Sequence, residues 1–273
     1  MKAMIFAAGL GTRLKPLTDV LPKALVPISG KPLLEHTCRK LMQSGINECV
    51  INVHHFADKI EDWVKNQEWM SSTGIADASQ MSVQLSDERC RLLETGGAIL
   101  KARPYLEGCG RFLIHNVDIL SDCDIRWLES QVRPDAVATL LVSARKSSRY
   151  FLFHPDTMRL IGWKNVNTGD QILVDPQVDP QVDPQVDPEK CAALAFSGIH
   201  ILSDKVFALM DEYVCESGLE NDNGIRFPIK DFYLWAASRT PIYGVKAENL
   251  RLLDVGKLDA IAPAEEFVES MKY

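Results

Sequence analysis

Ala3-Met4-Ile5-Phe6-Ala7-Ala8-Gly9-Leu10-Gly11-Thr12-Arg13 is the stretch on which the fold turns. The apolar run from Ala3 to Ala8 reads as a buried strand, and it empties into a Gly-x-Gly turn. Backbone amides in such a turn can cradle phosphate oxygens, because no side chain stands in the way. The alternative for a lone Gly-x-Gly is a plain tight turn. Arg13 and, farther along, Lys23 favour phosphate, since each sets a fixed positive charge on the same segment. Two familiar phosphate motifs are excluded. The glycines give Gly9-x-Gly11-x-x-Leu14 rather than the dinucleotide fingerprint, and no Gly-Lys-Ser/Thr follows.

Outward from this turn, short apolar runs alternate with helical patterns, the mark of βαβ units building a largely parallel sheet. Leu34, Cys38, Leu41 and Met42 recur at helical spacing after Lys31-Pro32, and Gly45 closes that helix. Strands are predicted at 49–53, 82–86, 111–115 and 136–142, with a helix over 57–70 and a short one from Gly97 toward Pro104. The second half predicts extended segments at 150–153, 159–163 and 194–202, helices at 204–212 and 228–237, a strand at 241–245 and a last helix from about Lys257. Residues 1–273 read as one domain, with a nucleotide-type first half and a substrate-type second half.

Composition narrows the function. The chain has 273 residues, 46% apolar and 25% charged, with a net charge of −7. That is too apolar for a disordered chain and too acidic for a protein built on the nucleic-acid backbone. Residues 174–189 are four tandem Val-Asp-Pro-Gln/Glu tetrapeptides, whose prolines exclude a helix or central strand and predict an exposed, semi-stiff loop. Its five acids account for all but two of the net negative charges, so the rest of the chain is nearly neutral. Seven cysteines without pairing pattern read as reduced, mostly buried thiols. With no stretch near the roughly 18 apolar residues a membrane span needs, the expected location is the cytoplasm.

The run Gly9-x-Gly11-Thr12-Arg13-Leu14, then Pro16-Leu17-Thr18, then Pro22-Lys23-Ala24-Leu25 resembles the signature of the nucleotidyltransferases that make nucleotide sugars from a nucleoside triphosphate and a sugar 1-phosphate. The resemblance implies a Rossmann-like, three-layer αβα, GT-A-like α/β fold with a mixed, mostly parallel sheet. It implies that Arg13 holds the pyrophosphate and Lys23 neutralises the phosphate under attack, as the catalytic pair. It places Ala8 and Gly9 at the base, with Gly11 and Thr12 in the nucleotide turn. Glu94-Thr95-Gly96-Gly97-Ala98 resembles the loop that closes on base and sugar, which brings Glu94, Gly96 and Gly97 into the nucleotide site. That segment resembles most the subset acting on N-acetylmuramate 1-phosphate or mannose 1-phosphate.

Asn116-Val117-Asp118 and Leu253-Asp254-Val255-Gly256 resemble the two motifs whose carboxylates hold Mg2+, here Asp118 and Asp254. The tryptophan usual before the second motif is missing, and Lys257 stands where threonine is usual. Asn116, Ser197 and Gly198 of Phe196-Ser197-Gly198-Ile199, and Lys164 are expected at the sugar. Independently, phosphoryl-type transfer gains mostly from positioning and charge neutralisation, and magnesium takes one or two carboxylates plus phosphates and water. The bland alternatives are caps or turns for Asp118 and Asp254. His54-His55 lacks a third ligand and reads as loop packing, and His115 as a buried neutral histidine.

The expected activity is nucleotidyl transfer from a nucleoside triphosphate to a sugar 1-phosphate, UTP with N-acetylmuramate 1-phosphate ahead of GTP with mannose 1-phosphate, by a stand-alone transferase. Two alternatives stay open at this point. One is a cytidylyltransferase acting on a non-sugar phosphate such as phosphocholine; the other is a non-catalytic nucleotide-sugar-binding regulatory subunit.

Overall fold

A computed structural model of the chain describes residues 1–71, 80–174, 190–219 and 224–271. The tetrapeptide segment from Asp175 onward lies outside the described residues. Val174, its first residue, is buried, and its amide donates to the Ile161 carbonyl.

The first half delivers the alternating elements. β1 (Lys2–Phe6) is followed by a small hairpin of β2 (Pro27–Ile28) and β3 (Lys31–Pro32), then by α1 (Leu33–Gln43), β4 (Glu48–Val53), α2 (Ala57–Lys65), β5 (Met70–Ser71) and β6 (Met81–Asp87). α3 (Glu94–Lys101) and α4 (Arg103–Leu106) lead into β7 (Arg111–Asn116), β8 (Ile119–Ser121), α5 (Ile125–Ser130) and β9 (Ala138–Ser143). The second half is richer in strands: β10 (Arg149–Phe153), β11 (Leu160–Asn165), β12 (Gln171–Leu173) and β13 (Ala192–Ser203). α6 (Val206–Ser217), α7 (Ile229–Ala237), β14 (Ile242–Lys246), β15 (Leu252–Asp254) and α8 (Ile261–Ser270) complete the described elements.

Eleven strands form one mixed sheet, in the order β12-β11-β10-β13-β7-β1-β4-β6-β5, with β9 and β14 joined through β13. The parallel pairs β7-β1-β4-β6-β5 hold the first half of the chain, whereas β12-β11-β10-β13 and the β13 pairings to β7 and β9 are antiparallel. Parallel pairing therefore dominates the first half, and the second half adds one further parallel pair, β14 beside β9. Consecutive strands 149–153, 160–165 and 171–173 are joined by tight connections, too short for the crossover that a parallel pair requires.

Period-two alternation in β1 explains how one sheet serves two cores. Ala3, Ile5 and Ala7 pack with α1, α2 and α8 through Leu34, Leu41, Ile60 and Val268, while Met4 faces the other way. On that other side lie Ala98, Phe207, Met210, Phe232 and Tyr233 of α3, α6 and α7. Burying each large apolar side chain contributes about 1.5–3 kcal/mol, so two continuous layers hold the central strands firmly.

Three expectations need correction. The helix expected over 57–70 stops at Lys65, because Met70–Ser71 is drawn into the sheet as a parallel partner of Met81–Ser82. The segment from Glu94 is the first turn of a helix rather than a loop. Of the seven cysteines, Cys38, Cys49 and Cys123 are buried, while Cys90 and Cys215 are exposed; all are free thiols.

Candidate active site

β1, β4 and β7 run parallel, and their carboxyl ends, at Phe6, Val53 and Asn116, open on one side of the sheet. β1 has β4 on one flank and β7 on the other, so the chain reverses its direction of growth here, where α/β sheets open a crevice for ligands. The crevice is a cavity of about 400 Å³ lined by Ala7, Ala8 and Gly9, by Asn116 and Asp118, by Lys23, and on the facing wall by Leu92, Glu94 and Thr95.

The turn after β1 is built for close approach. Gly11 has φ +63°, and a Cβ there would lie 2.9 Å from Thr18 Cγ2. Thr18 Oγ1 and the Leu14 amide both donate to the Gly11 carbonyl at 2.8 Å, which closes the loop on itself. Thr12 and Arg13 ride on the exposed side of this turn. Gly9 has nothing within 4 Å of where a Cβ would be, so its backbone lies bare to the cavity.

Lys23 follows Pro22 in a short 3-10 turn and is only 9% exposed. Its Nζ is ion-paired with Asp118 Oδ2, joining residues 95 positions apart. Asp118 is brought beside Asp254 by a two-stranded ladder: β15 pairs antiparallel with β8, setting Asp254 opposite Ile119, and the Val255 amide donates to the Asp118 carbonyl at 2.8 Å. Arg13 completes the group. A Cβ on Gly256 would lie 2.6 Å from Asp254 Oδ1 and 2.9 Å from Arg13 Nη2, so the guanidinium and the carboxylate both lie against that bare backbone. Desolvation and then the neighbouring Asp118 charge push the Asp254 carboxyl above its ordinary range, against the pull of Lys23, Arg13 and Arg145.

The expected site residues thus fall into three sets. Arg13, Lys23, Asp118 and Asp254 converge, and Ala8, Gly9, Glu94 and Asn116 share the cavity wall. Gly96 and Gly97 do not line it. Their amides donate to the Phe227 carbonyl, and a Cβ at either would strike Phe227 or Ile225 at 2.2 Å. They are packing glycines that let residues 224–228 lie against α3. Ser197 is buried and bonded to its own strand at Ile199. Gly198, at φ +81°, gives way to the Asn116 side chain, whose Nδ2 would lie 2.7 Å from a Cβ, so it acts on the cavity through Asn116. Lys164 sits on β11 and is not among the lining residues.

Several groups were given no individual role from the sequence. Asn52 and Thr95 line the cavity, the Thr95 hydroxyl accepts from the Ile229 amide at 2.8 Å, and Arg226 pairs with Glu94 at 2.6 Å. Arg145 donates to the Phe196 carbonyl, and its charge acts on Asp254. His54 behaves as loop packing, its Nδ1 lying 2.6 Å from the Glu88 carbonyl. His115 is fully buried, which lowers its pKa to about 4.

Among the described residues no group of three or more His, Cys, Asp and Glu is arranged as a metal site. Two adjoining carboxylates are nevertheless the donor set that Mg2+ uses when phosphate oxygens and water supply the rest. No helix among the described residues is long and apolar enough to cross a membrane.

The cavity lies at the ends of parallel strands, lined by Lys23 and Asp118, and Asp254 and Arg13 adjoin that pair, an arrangement whose charges suit phosphorylated ligands. The family model described as nucleotidyl transferase matches residues 2–157, and the chain belongs to that family of enzymes. Enzymes of this kind generally use a divalent metal. Among individual relatives, the chain is 35% identical over 207 residues to N-acetylmuramate alpha-1-phosphate uridylyltransferase of Caulobacter vibrioides, an alignment covering 76% of each protein. It is 43% identical over 125 residues to the enzyme of the same name from Neisseria meningitidis serogroup B, covering 45% of this chain and 49% of that one. Apo UDP-glucose pyrophosphorylase superposes with a TM-score of 0.71 over all of both chains at 18% identity, which bears on the fold alone.

Proposed function

We propose that the chain transfers UMP from UTP to the phosphate of N-acetylmuramate 1-phosphate, releasing pyrophosphate. The observation that carries the chemistry is the convergence of Lys23, Asp118, Asp254 and Arg13 at one end of a cavity whose floor is the bare backbone at Ala8 and Gly9. The choice of substrates is supported by the two uridylyltransferase relatives.

In this reading a phosphate oxygen of the sugar 1-phosphate attacks the α-phosphorus of UTP in line. The bond to the β-phosphate oxygen breaks, and pyrophosphate carries the electron pair away. No protein nucleophile is needed, so the protein contributes position and charge. Lys23 neutralises the oxygens around the α-phosphorus and Arg13 the leaving pyrophosphate. Asp118 and Asp254 would hold Mg2+, which when bound supplies positive charge shared between the phosphates. Asn116, whose side chain fills the space that Gly198 leaves open, would face the sugar. The product is a nucleoside diphosphate sugar made in the cytoplasm for cell-wall or surface-glycan synthesis.

The test is a pyrophosphate-release assay crossing the four ribonucleoside triphosphates with a panel of sugar 1-phosphates and phosphocholine. The reading expects release with UTP and N-acetylmuramate 1-phosphate, lost in Lys23→Ala. Preference for GTP with mannose 1-phosphate, or for CTP with phosphocholine, would overturn the substrate assignment.

A further inference from the structure

Two polar residues behind the cavity are used by none of the steps above. Asn52, at the end of β4, is 4% exposed and lines the cavity; Glu88, just past β6, is 1% exposed. Burying a carboxylate this deeply costs several kcal/mol unless its oxygens are satisfied. Here they are. Glu88 Oε1 accepts from Asn52 Nδ2 at 2.8 Å, and Oε2 accepts from the Leu93 amide at 3.0 Å. Asn52 Oδ1 in turn accepts from the Ala7 amide at 2.8 Å. One chain of three hydrogen bonds therefore runs from Ala7, on the glycine-turn wall, through two side chains to Leu93, on the wall that carries Leu92, Glu94 and Thr95.

We propose that Asn52 and Glu88 are a positioning pair that fixes the separation of the two walls of the nucleotide pocket. The inference rests on the proposed function for the identity of the ligand, and on the geometry for the role. The pair touches no reacting atom; it acts through Ala7 and Leu93. The donor and acceptor pattern is fully specified: Asn52 must present oxygen to Ala7 and nitrogen to Glu88, and Glu88 must present an acceptor at both oxygens. Glutamine at 88 has only one acceptor, so Glu88→Gln sets an N–H against an N–H at one end. Asn52→Asp keeps the bond to Ala7 but sets two carboxylate oxygens against each other.

The double variant restores the pattern. The new aspartate accepts from the Ala7 amide and from the new glutamine, whose oxygen accepts from Leu93; all three bonds return, with the charge moved from 88 to 52. Volume is conserved throughout, so a merely space-filling role predicts no such rescue.

The experiment measures nucleotide KM, kcat and UTP binding by calorimetry for wild type, both single variants and the double variant, alongside thermal melts. Each single variant is expected to raise nucleotide KM about tenfold, with a smaller change in kcat, the cost of one unsatisfied buried group. The double variant is expected to return KM to within about threefold of wild type, on the same scale. A double variant as impaired as the worse single one, or losses confined to kcat, would overturn the proposal. If a single variant does not fold, the double variant decides: folded with near-normal nucleotide KM supports the pair, whereas a raised KM or failure to fold overturns it. A wild-type chain that binds no triphosphate would instead count against the functional reading on which the ligand's identity rests.

Discussion

Gly256→Ala perturbs the charged end of the cavity without removing a charge. The added Cβ would lie 2.6 Å from Asp254 Oδ1 and 2.9 Å from Arg13 Nη2, where ordinary contacts begin near 3.4 Å. One or both side chains must therefore retreat by roughly half to one ångström. A misplacement on the order of 1 Å can cost about a hundredfold in rate, so kcat/KM is expected to fall between about tenfold and a hundredfold, or ~1.4–2.7 kcal/mol of transition-state stabilisation. Stability should move by less than about 1 kcal/mol, because the atoms that yield are side-chain tips and alanine stiffens the unfolded chain. Steady-state kinetics with UTP and N-acetylmuramate 1-phosphate, beside urea unfolding of the same preparations, separates the two effects. Unchanged kcat/KM would refute the placement of Arg13 and Asp254 at the reacting phosphates. A large loss of stability would show that Gly256 serves the fold.

Gly9→Ala meets nothing within 4 Å, so its melting temperature should stay within a degree or two of wild type, while nucleotide KM rises about tenfold if the ligand needs the bare backbone; an unchanged KM would remove Gly9 from the site. Gly96→Ala should do the reverse, destabilising by about 1–3 kcal/mol in urea through overpacking against Phe227, and a neutral result would contradict the packing described for residues 224–228. Acid should destabilise the fold through its buried histidines. Burial lowers His115 to about 4 and His200 to about 3, against 6.5 when unfolded. Their neutral forms contribute stability that is fully present above pH 6.5 and lost as pH falls through the window below it. Between pH 7.5 and 5 each should lower the unfolding free energy by about 2 kcal/mol, and stability flat over that range would contradict their burial as neutral groups.

What the sequence revealed follows the range of the interactions involved. β1 and its glycine turn are local: an apolar run, two glycines and Arg13 state their own structure, and α1 carries its periodicity and its closing glycine in one stretch. Asp118 and Asp254 were legible as motifs, yet the three-residue ladder that brings them together is too short to leave a periodic trace. Gly96 and Gly97 read as ligand-facing because a motif cannot show that Phe227 and Ile225, some 130 residues later, occupy the space above them. Glu88 was the least visible. It stands in the run Asp87-Glu88-Arg89, which looks like a solvated charged turn, and only the fold shows that the middle residue points inward while its neighbours remain exposed. Asn52, amid the apolar residues of β4, likewise gains meaning only from Ala7 and Glu88 on either side.

The fate of the nucleotide's phosphates tests nucleotidyl transfer most directly. With N-acetylmuramate 1-phosphate present, label in the α-phosphate of UTP should appear in a uridine diphosphate sugar, and label in the γ-phosphate should appear in pyrophosphate. Label from the α-position in free UMP, or from the γ-position in inorganic phosphate or on the sugar, would contradict it.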